Sequence, residues 1–228
     1  MLKKLVIKIK RYTLLLWLTC MTLFSCGNRQ IQPEQYVYFN DFESTDYTGI
    51  IGVSISRFED NLLMGFFNND GFNLNLEDLP EHDFIRVKFD LYIHDSWEGN
   101  ATDNDPLFIE QDLWTIAFDT AKDLKVSDKI SLQTTFSNGF CIPSFCYTQS
   151  YPEPFPAFND AQLSADRVSF GRCLWRDTPT GTSVYSFDKV FPHTERNTVI
   201  SFYDELTENL CDESWSLDNL SVRVFKFN

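Results

Sequence analysis

Two groups of acids have the residue types and spacing to hold a hard cation or to hydrogen-bond a hydroxyl-rich ligand. The first is Asp95, Glu98, Asn100, Asp103 and Asp105, within one short stretch. The second pairs Asp41-Phe42-Glu43 near the start with Asp218-Asn219 near the end. Carboxylate and carbonyl oxygens are the ligands Ca²⁺ takes, so Glu43 and Asp218 form a candidate calcium pair. The competing reading is that these acids only cap turns. Aromatic rings could add a stacking surface for the C–H faces of a sugar. Trp97 and Tyr151 lie in polar, turn-like surroundings and, with Asp95 and Asn100, make a candidate ligand-binding set. Trp114 alternates with Ile116 and Phe118 and reads as core, the commoner fate of large aromatics. Enzymatic chemistry finds little footing. No Glu-x-Asp-x-x-Glu strand places the carboxylate pair that glycoside hydrolysis needs. There is no Gly-x-Ser-x-Gly elbow, no His-Glu-x-x-His and no phosphate loop. His82, His94 and His193 are scattered, His94 on the polar phase of a strand, and Asp212-Glu213 lacks a partner in the sequence. We therefore expect no catalytic residues.

The strand that must position the first group runs from Phe84. Ile85, Val87, Phe89, Leu91 and Ile93 alternate with Arg86, Lys88, Asp90, Tyr92 and His94. A period of two over ten residues predicts a long strand with one buried face. It delivers Asp95-Ser96-Trp97-Glu98-Gly99-Asn100 to one end of the fold. The second group depends on the last strand, where the apolar phase slips. Trp215 and Leu217 are odd-numbered; Leu220, Val222 and Val224 are even-numbered. A one-residue slip at Asp218-Asn219 implies a bulge or bend, and bulges aim side chains. Further strand candidates are Ile51–Ile55, Leu62–Phe67, Phe72–Leu76, Leu113–Phe118, Ile130–Phe136, Val168–Trp175, Val184–Val190 and Thr198–Tyr203, with a hint of helix only over Asp119–Ser127. Many short strands separated by turn clusters predict an all-β fold, an antiparallel jelly-roll β-sandwich. In a jelly roll the first and last strands commonly lie side by side, which would let Glu43 and Asp218 meet.

The ends and the charge bound the address. Met1–Arg11 is basic, and Leu14–Phe24 is an apolar run too short to span a bilayer but suited to a signal peptide. The expected organisation is a leader over 1–25, Cys26 and a tether over 26–35, and one sandwich domain over 36–228. The leader holds Lys3, Lys4, Lys8, Lys10 and Arg11 and no acid, so removing these five basic residues takes the formal charge from −14 to −19. So acidic a domain is a poor match for nucleic acid, which is bound by neutralising phosphates. Beyond the leader remain Cys141, Cys146, Cys173 and Cys211, which in an exported chain point to two disulfides. Three pairings are possible; Cys141–Cys146 and Cys173–Cys211 are favoured. A zinc site is the weaker rival, since no His sits at ligand spacing near them.

Leu23-Phe24-Ser25-Cys26-Gly27 resembles the bacterial lipoprotein signal, with the Cys receiving lipid, palmitate included, as the mature N-terminus. That implies a cell-envelope, lipid-anchored protein, with the outer membrane as the expected site. Gly27-Asn28-Arg29-Gln30 lacks the acidic pair that often follows the Cys in surface-exported lipoproteins of the Bacteroides group, which leaves the membrane face open. Asn40-Asp41-Phe42-Glu43 and Trp215-Ser216-Leu217-Asp218-Asn219-Leu220-Ser221-Val222 resemble the terminal strands of jelly-roll carbohydrate-binding modules, in which an early Glu and a late Asp bind structural Ca²⁺. Phe89–Trp97, Thr134–Asn138, Gln149–Pro152 and Asp212–Trp215 resemble an uncharacterised bacterial secreted family with a concanavalin A-like sandwich. These resemblances imply a tethered module that binds glycan, with possible calcium. The other reading is a structural or adhesive subunit that binds an envelope protein through a sheet face. Replacing Cys26 by Ala is expected to abolish incorporation of labelled palmitate and to move the protein out of the membrane fraction; acylation that persists in Cys26→Ala would rule out the lipoprotein address.

Overall fold

The structure is a computed structural model that describes residues 31–100, 111–119, 130–138, 141–142, 145–151 and 165–227. The leader, Cys26, Asp103, Asp105, the expected turn of helix beyond Asp119 and the side chains of Cys141 and Cys146 lie outside the described residues. Pro33–Lys226 form one compact unit, which carries all that follows. Of the other unit, Met1–Gln32 with Phe227–Asn228, the described part is an antiparallel bridge between Ile31 and Phe227.

The alternating strand is β6 (Phe84–Asp95), and it lies inside a seven-stranded antiparallel sheet. It pairs along its length with β12 (Thr182–Pro192) on one side and β14 (Glu213–Phe225) on the other. Beyond β12 is β11 (Arg167–Ser169); beyond β14 are β4 (Asn61–Phe67) and then β3 (Ile55–Phe58), while β1 (Gln35–Asn40) also pairs with β14. The second sheet runs β2 (Ile50–Ile51), β5 (Gly71–Leu76), β13 (Thr198–Glu205), β7 (Leu113–Asp119), β8 (Ile130–Thr135). A small hairpin pairs β9 (Cys141–Ile142) with β10 (Phe145–Cys146), setting Cys141 opposite Cys146 in backbone register. The chain changes sheet from β1 to β2, β2 to β3, β4 to β5, β5 to β6, β6 to β7, β12 to β13 and β13 to β14. This is an all-β fold of two antiparallel sheets, a β-sandwich.

The strands bury the faces their alternation predicts. Ile85, Val87, Phe89, Leu91 and Ile93 point into the sandwich and are sealed from solvent. Phe89 stacks on Phe187 with centroids 4.4 Å apart and meets Phe202 of the opposite sheet edge-on at 5.6 Å. Trp114 crosses the same gap to Phe89 at 5.7 Å and to Trp215 at 5.9 Å. On the outer face, Arg86 forks onto Asp188 (2.6 and 2.7 Å) and reaches Glu34 (2.8 Å).

The phase slip in the last strand is a bulge. Asp218 pairs with Asp90 and Ser221 with Lys88, so β14 carries one extra residue there, and Asn219 takes a left-handed backbone (φ 55°). The bulge lets Trp215, Leu217, Leu220, Val222 and Val224 all face inward. It also marks an exchange of neighbours: Trp215–Leu217 pair with β4, and Leu220–Val224 pair with β1, so the first and last strands do lie side by side. Two strand expectations change. Ile51–Ile55 divides between β2 and β3, in different sheets. Val168–Trp175 is a strand only to Ser169, because the segment after it folds onto the carboxylate of Asp95.

His94, expected on a wet sheet face, is fully buried there. Phe58 and Phe66 close over it at 4.7 and 5.0 Å, and its nitrogens reach Thr182 Oγ1 (3.0 Å) and Ser216 Oγ (2.7 Å). Burial, reinforced by the nearby Arg172 charge, holds its pKa well below the usual imidazole value. Because the folded imidazole resists protonation, the unfolded chain binds the extra proton below about pH 6.5, and stability is lost as pH falls. A His94→Gln variant lacks that titration. Between pH 7.5 and pH 5.5 the stability difference between the two proteins, read from urea melts, should move by about 1.4 kcal/mol in favour of the variant.

Candidate functional site

The loop after β6 and the turns around it build a polar rim at one end of the sandwich. Its organiser is Asp95, whose side chain continues the inward phase of β6 and is fully buried. Asp95 takes φ 65°, a conformation that non-glycine residues adopt seldom and Asp more readily than most. Its carboxylate accepts the backbone N–H groups of Cys173 (3.0 Å) and Trp175 (2.9 Å), and the Arg172 guanidinium lies 3.9 Å away. Burial raises its pKa, and those two N–H groups pull it back down. Gly171 is required by the wrap, since a Cβ there would fall 2.6 Å from the Trp175 carbonyl carbon and 2.7 Å from Asp95 Oδ1. The expected disulfide Cys173–Cys211 pins the loop to the β13–β14 turn, with Cα atoms 5.1 Å apart. It spans 38 residues of sequence, a length for which loop-closure entropy contributes about 4 kcal/mol. Leu174 N–H donates to Cys211 O beside it.

The other candidates serve as structural members. Trp97 is sealed in the core and donates from Nε1 to Ser214 O (2.9 Å), so its ring is no stacking platform; a turn-like sequence context conceals how deeply the chain dives there. Tyr151 is likewise buried, lying parallel to Phe187 at 5.7 Å. Asn100 stitches loops together: Oδ1 accepts from Thr135 (2.6 Å) and Ser150 (3.0 Å), and Nδ2 donates to Thr148 (3.0 Å). Among the described residues Trp175 is the only tryptophan that is not fully buried, and it sits on the Asp95-held loop that also carries the exposed Phe170 and Leu174.

Glu43 and Asp218 are near enough for the Glu43 charge to act on Asp218. Glu43 Oε1 accepts Leu62 N–H (2.8 Å), and Asp218 accepts Asn219 N–H (2.7 Å). Burial, then the charges of Asp90, Glu43 and Asp41, push Asp218 up to about 6. A group of four carboxylates at mutual ligand distance is found at the rim. Glu98, Asp112, Glu208 and Glu213 bring one oxygen each to within 4.8 Å of all the others. Glu98 leaves the rim loop, Asp112 immediately precedes β7, Glu213 opens β14 and Glu208 lies in the turn before it. Asp112 Oδ2 accepts the N–H groups of Glu98 and Gly99, and Glu213 Oε1 accepts Glu208 N–H (3.1 Å). Burial and the neighbouring carboxylates raise the pKa of Glu98 and Glu213 strongly, and burial raises Asp112. The sequence reading passed over Asp112 and Glu208. A signal for Asp112 existed in its parity, which continues the core phase of Trp114, Ile116 and Phe118.

No protein-family model matches the chain, and no curated protein matches it. Among solved structures it is similar to the K2 cleaved adhesin domain of Lys-gingipain, at 11% identity, covering 81% of this chain and 96% of that one with a TM-score of 0.40. A likeness at that level speaks to neither ligand nor activity.

Removing the Asp95 carboxylate strands the two backbone N–H groups it accepts, each a penalty of roughly 1–3 kcal/mol. Asp95→Ala should destabilise the domain by several kcal/mol, and hydrogen exchange at the Cys173 and Trp175 amides should speed up more than at β6 amides. Equal protection in variant and wild type would mean the loop is held by the disulfide alone.

Proposed function

We propose that the protein is a lipid-anchored envelope module that binds a neutral glycan through the loop over 170–181, with Trp175 as the ring on which a sugar stacks. The observation that carries this reading is a half-buried tryptophan on a loop fastened three ways: by a buried carboxylate, by a disulfide and by its own turn, in which Thr178 N–H donates to Trp175 O (2.7 Å). A fastened loop presents an aromatic surface at little ordering cost, which is how rigid recognition sites gain affinity. Exposed Asp177, Arg176 and Asn209 supply hydrogen-bonding groups around it. An acidic domain repels polyanions but not neutral sugars. Among the described residues no helix is long and apolar enough to cross a membrane, so attachment in this reading rests on the Cys26 lipid.

A second reading has its own support. Val168, Phe170, Leu174 and Leu210 are each at least two-fifths exposed, and Leu174 and Leu210 flank the disulfide. Apolar side chains gathered on a rigid surface suit a protein partner in the envelope. A glycan array with the full chain separates the two. Binding to a neutral glycan that falls at least tenfold in Trp175→Ala, with an unchanged melting temperature, supports the sugar site. A silent array, with one envelope protein captured by wild type and lost in Leu174→Asp, would transfer the surface to protein adhesion.

A further inference from the structure

We propose that Glu98, Asp112, Glu208 and Glu213 bind a calcium ion that fastens the rim. The site is separate from Glu43 and Asp218 and does not depend on the glycan reading. Its donors are all carboxylate oxygens, the hard ligands Ca²⁺ prefers, and the group includes neither sulfur nor imidazole. Oxygens on a Ca²⁺ coordination sphere of 2.3–2.6 Å radius lie at most about 4.6–5.2 Å apart. The four carboxylates, none separated from another by more than 4.8 Å, fit inside that sphere.

Two further atoms point to an ion rather than to a chance gathering of acids. Glu98 Oε2 and Glu213 Oε2 are buried and have no hydrogen-bond partner among the described residues, and both residues are more than nine-tenths sealed from solvent. An ionised, unpaired oxygen in such a place is among the costliest arrangements a fold can hold. The charged neighbours that act most strongly on Glu98 are Asp112, Glu208 and Asp212, all negative, so among the described residues the fold brings acids toward this point. The remaining oxygens are already oriented. Asp112 Oδ2 is fixed by the Glu98 and Gly99 N–H groups and Glu213 Oε1 by Glu208 N–H, so three chain segments converge with defined geometry. Glu208 is the half-exposed member and forms the mouth by which an ion would enter. A bound cation would join the start of the β6–β7 connection to its end and to the β13–β14 turn, the same turn that the disulfide ties to the Trp175 loop.

The full chain, stripped with EGTA and titrated calorimetrically with CaCl₂, should take up one Ca²⁺, and its melting temperature should be higher in Ca²⁺ than in EGTA. Glu213→Gln removes one ligand while keeping the shape of the neutral, protonated side chain that burial favours when no ion is bound. It should abolish uptake while melting, in EGTA, at or above the wild-type temperature, a sign opposite to that of an ordinary damaging core substitution. Glu208→Gln changes the accessible member and guards against a folding failure; it should weaken uptake about tenfold or more with unaltered melting in EGTA. The proposal is overturned if the wild type takes up no Ca²⁺ at millimolar concentration. It is equally overturned if uptake is undiminished in both variants, or if Asp218→Asn abolishes uptake that they retain, which would move the ion to the Glu43 side.

Discussion

β6 has a strand on each side along its whole length, and that double pairing is the constraint on which the rest of the structure depends. Every outward residue of β6 faces a cross-strand neighbour from β12 and from β14: Val190, Arg86 and Arg223 in one row, Thr182, His94 and Ser214 in another. A slip of one residue in either register would turn Ile85 through Ile93 out to solvent and bring Arg86 and Lys88 into the core. The bulge at Asp218-Asn219 is tolerated because it lets β14 keep its apolar face inward while its other neighbour changes from β4 to β1.

The same register explains why one end of the sandwich is polar inside. Along β6 the core phase runs through Ile93 to Asp95, and β14 begins that phase at Glu213, directly opposite Asp95. On the second sheet Phe202 is followed in phase by Asp204, and Asp112 precedes Trp114. Acids therefore continue the apolar stripes of four strands into one rim. Two of them are answered by the protein itself. Asp95 receives the 170s loop, and Asp204 Oδ2 takes the Trp215 indole N–H at 2.6 Å while its other oxygen takes Asn69 N–H. Asp112 and Glu213 are answered only in part, which is why the electrostatic strain of the rim gathers around them.

Rigidity at the rim follows from this division of labour. Buried carboxylates that collect backbone N–H groups act as turn templates with a stronger hold than a neutral side chain, since charge-assisted hydrogen bonds are roughly twice as strong. Asp95 holds a loop that carries no regular secondary structure, and the disulfide closes it against the β13–β14 turn. A surface that displays Phe170, Leu174 and Trp175 can thus keep one shape without a ligand to support it.

Much of this was legible in the sequence because strand physics is local. Period-two alternation marked β6, the parity change at Asp218-Asn219 marked the bulge, and Cys173–Cys211 is one of the two links favoured among the three pairings that four cysteines allow. The same alternation carried a clue that a search for acidic loops overlooked: Asp95, Asp112, Asp204 and Glu213 keep core parity, and an acid in core phase is one the fold must bury. What sequence could not decide was depth and partnership. Trp97 and Tyr151 have polar neighbours in the chain yet lie inside, because backbone and buried side-chain hydrogen bonds hold their loops over the end of the sandwich: Asn138 N–H donates to Trp97 O (3.0 Å), and Gln149 accepts Ser137 N–H (3.0 Å) while donating to Tyr151 O (2.5 Å). Trp175 has the sequence context of a strand and lies in a loop, because a carboxylate 80 residues away in sequence claims its N–H. Glu98, Asp112, Glu208 and Glu213 meet only when both sheets are assembled. Secondary structure is written in neighbouring residues, whereas a site is made by the burial and electrostatics of residues that only the packed sandwich brings together.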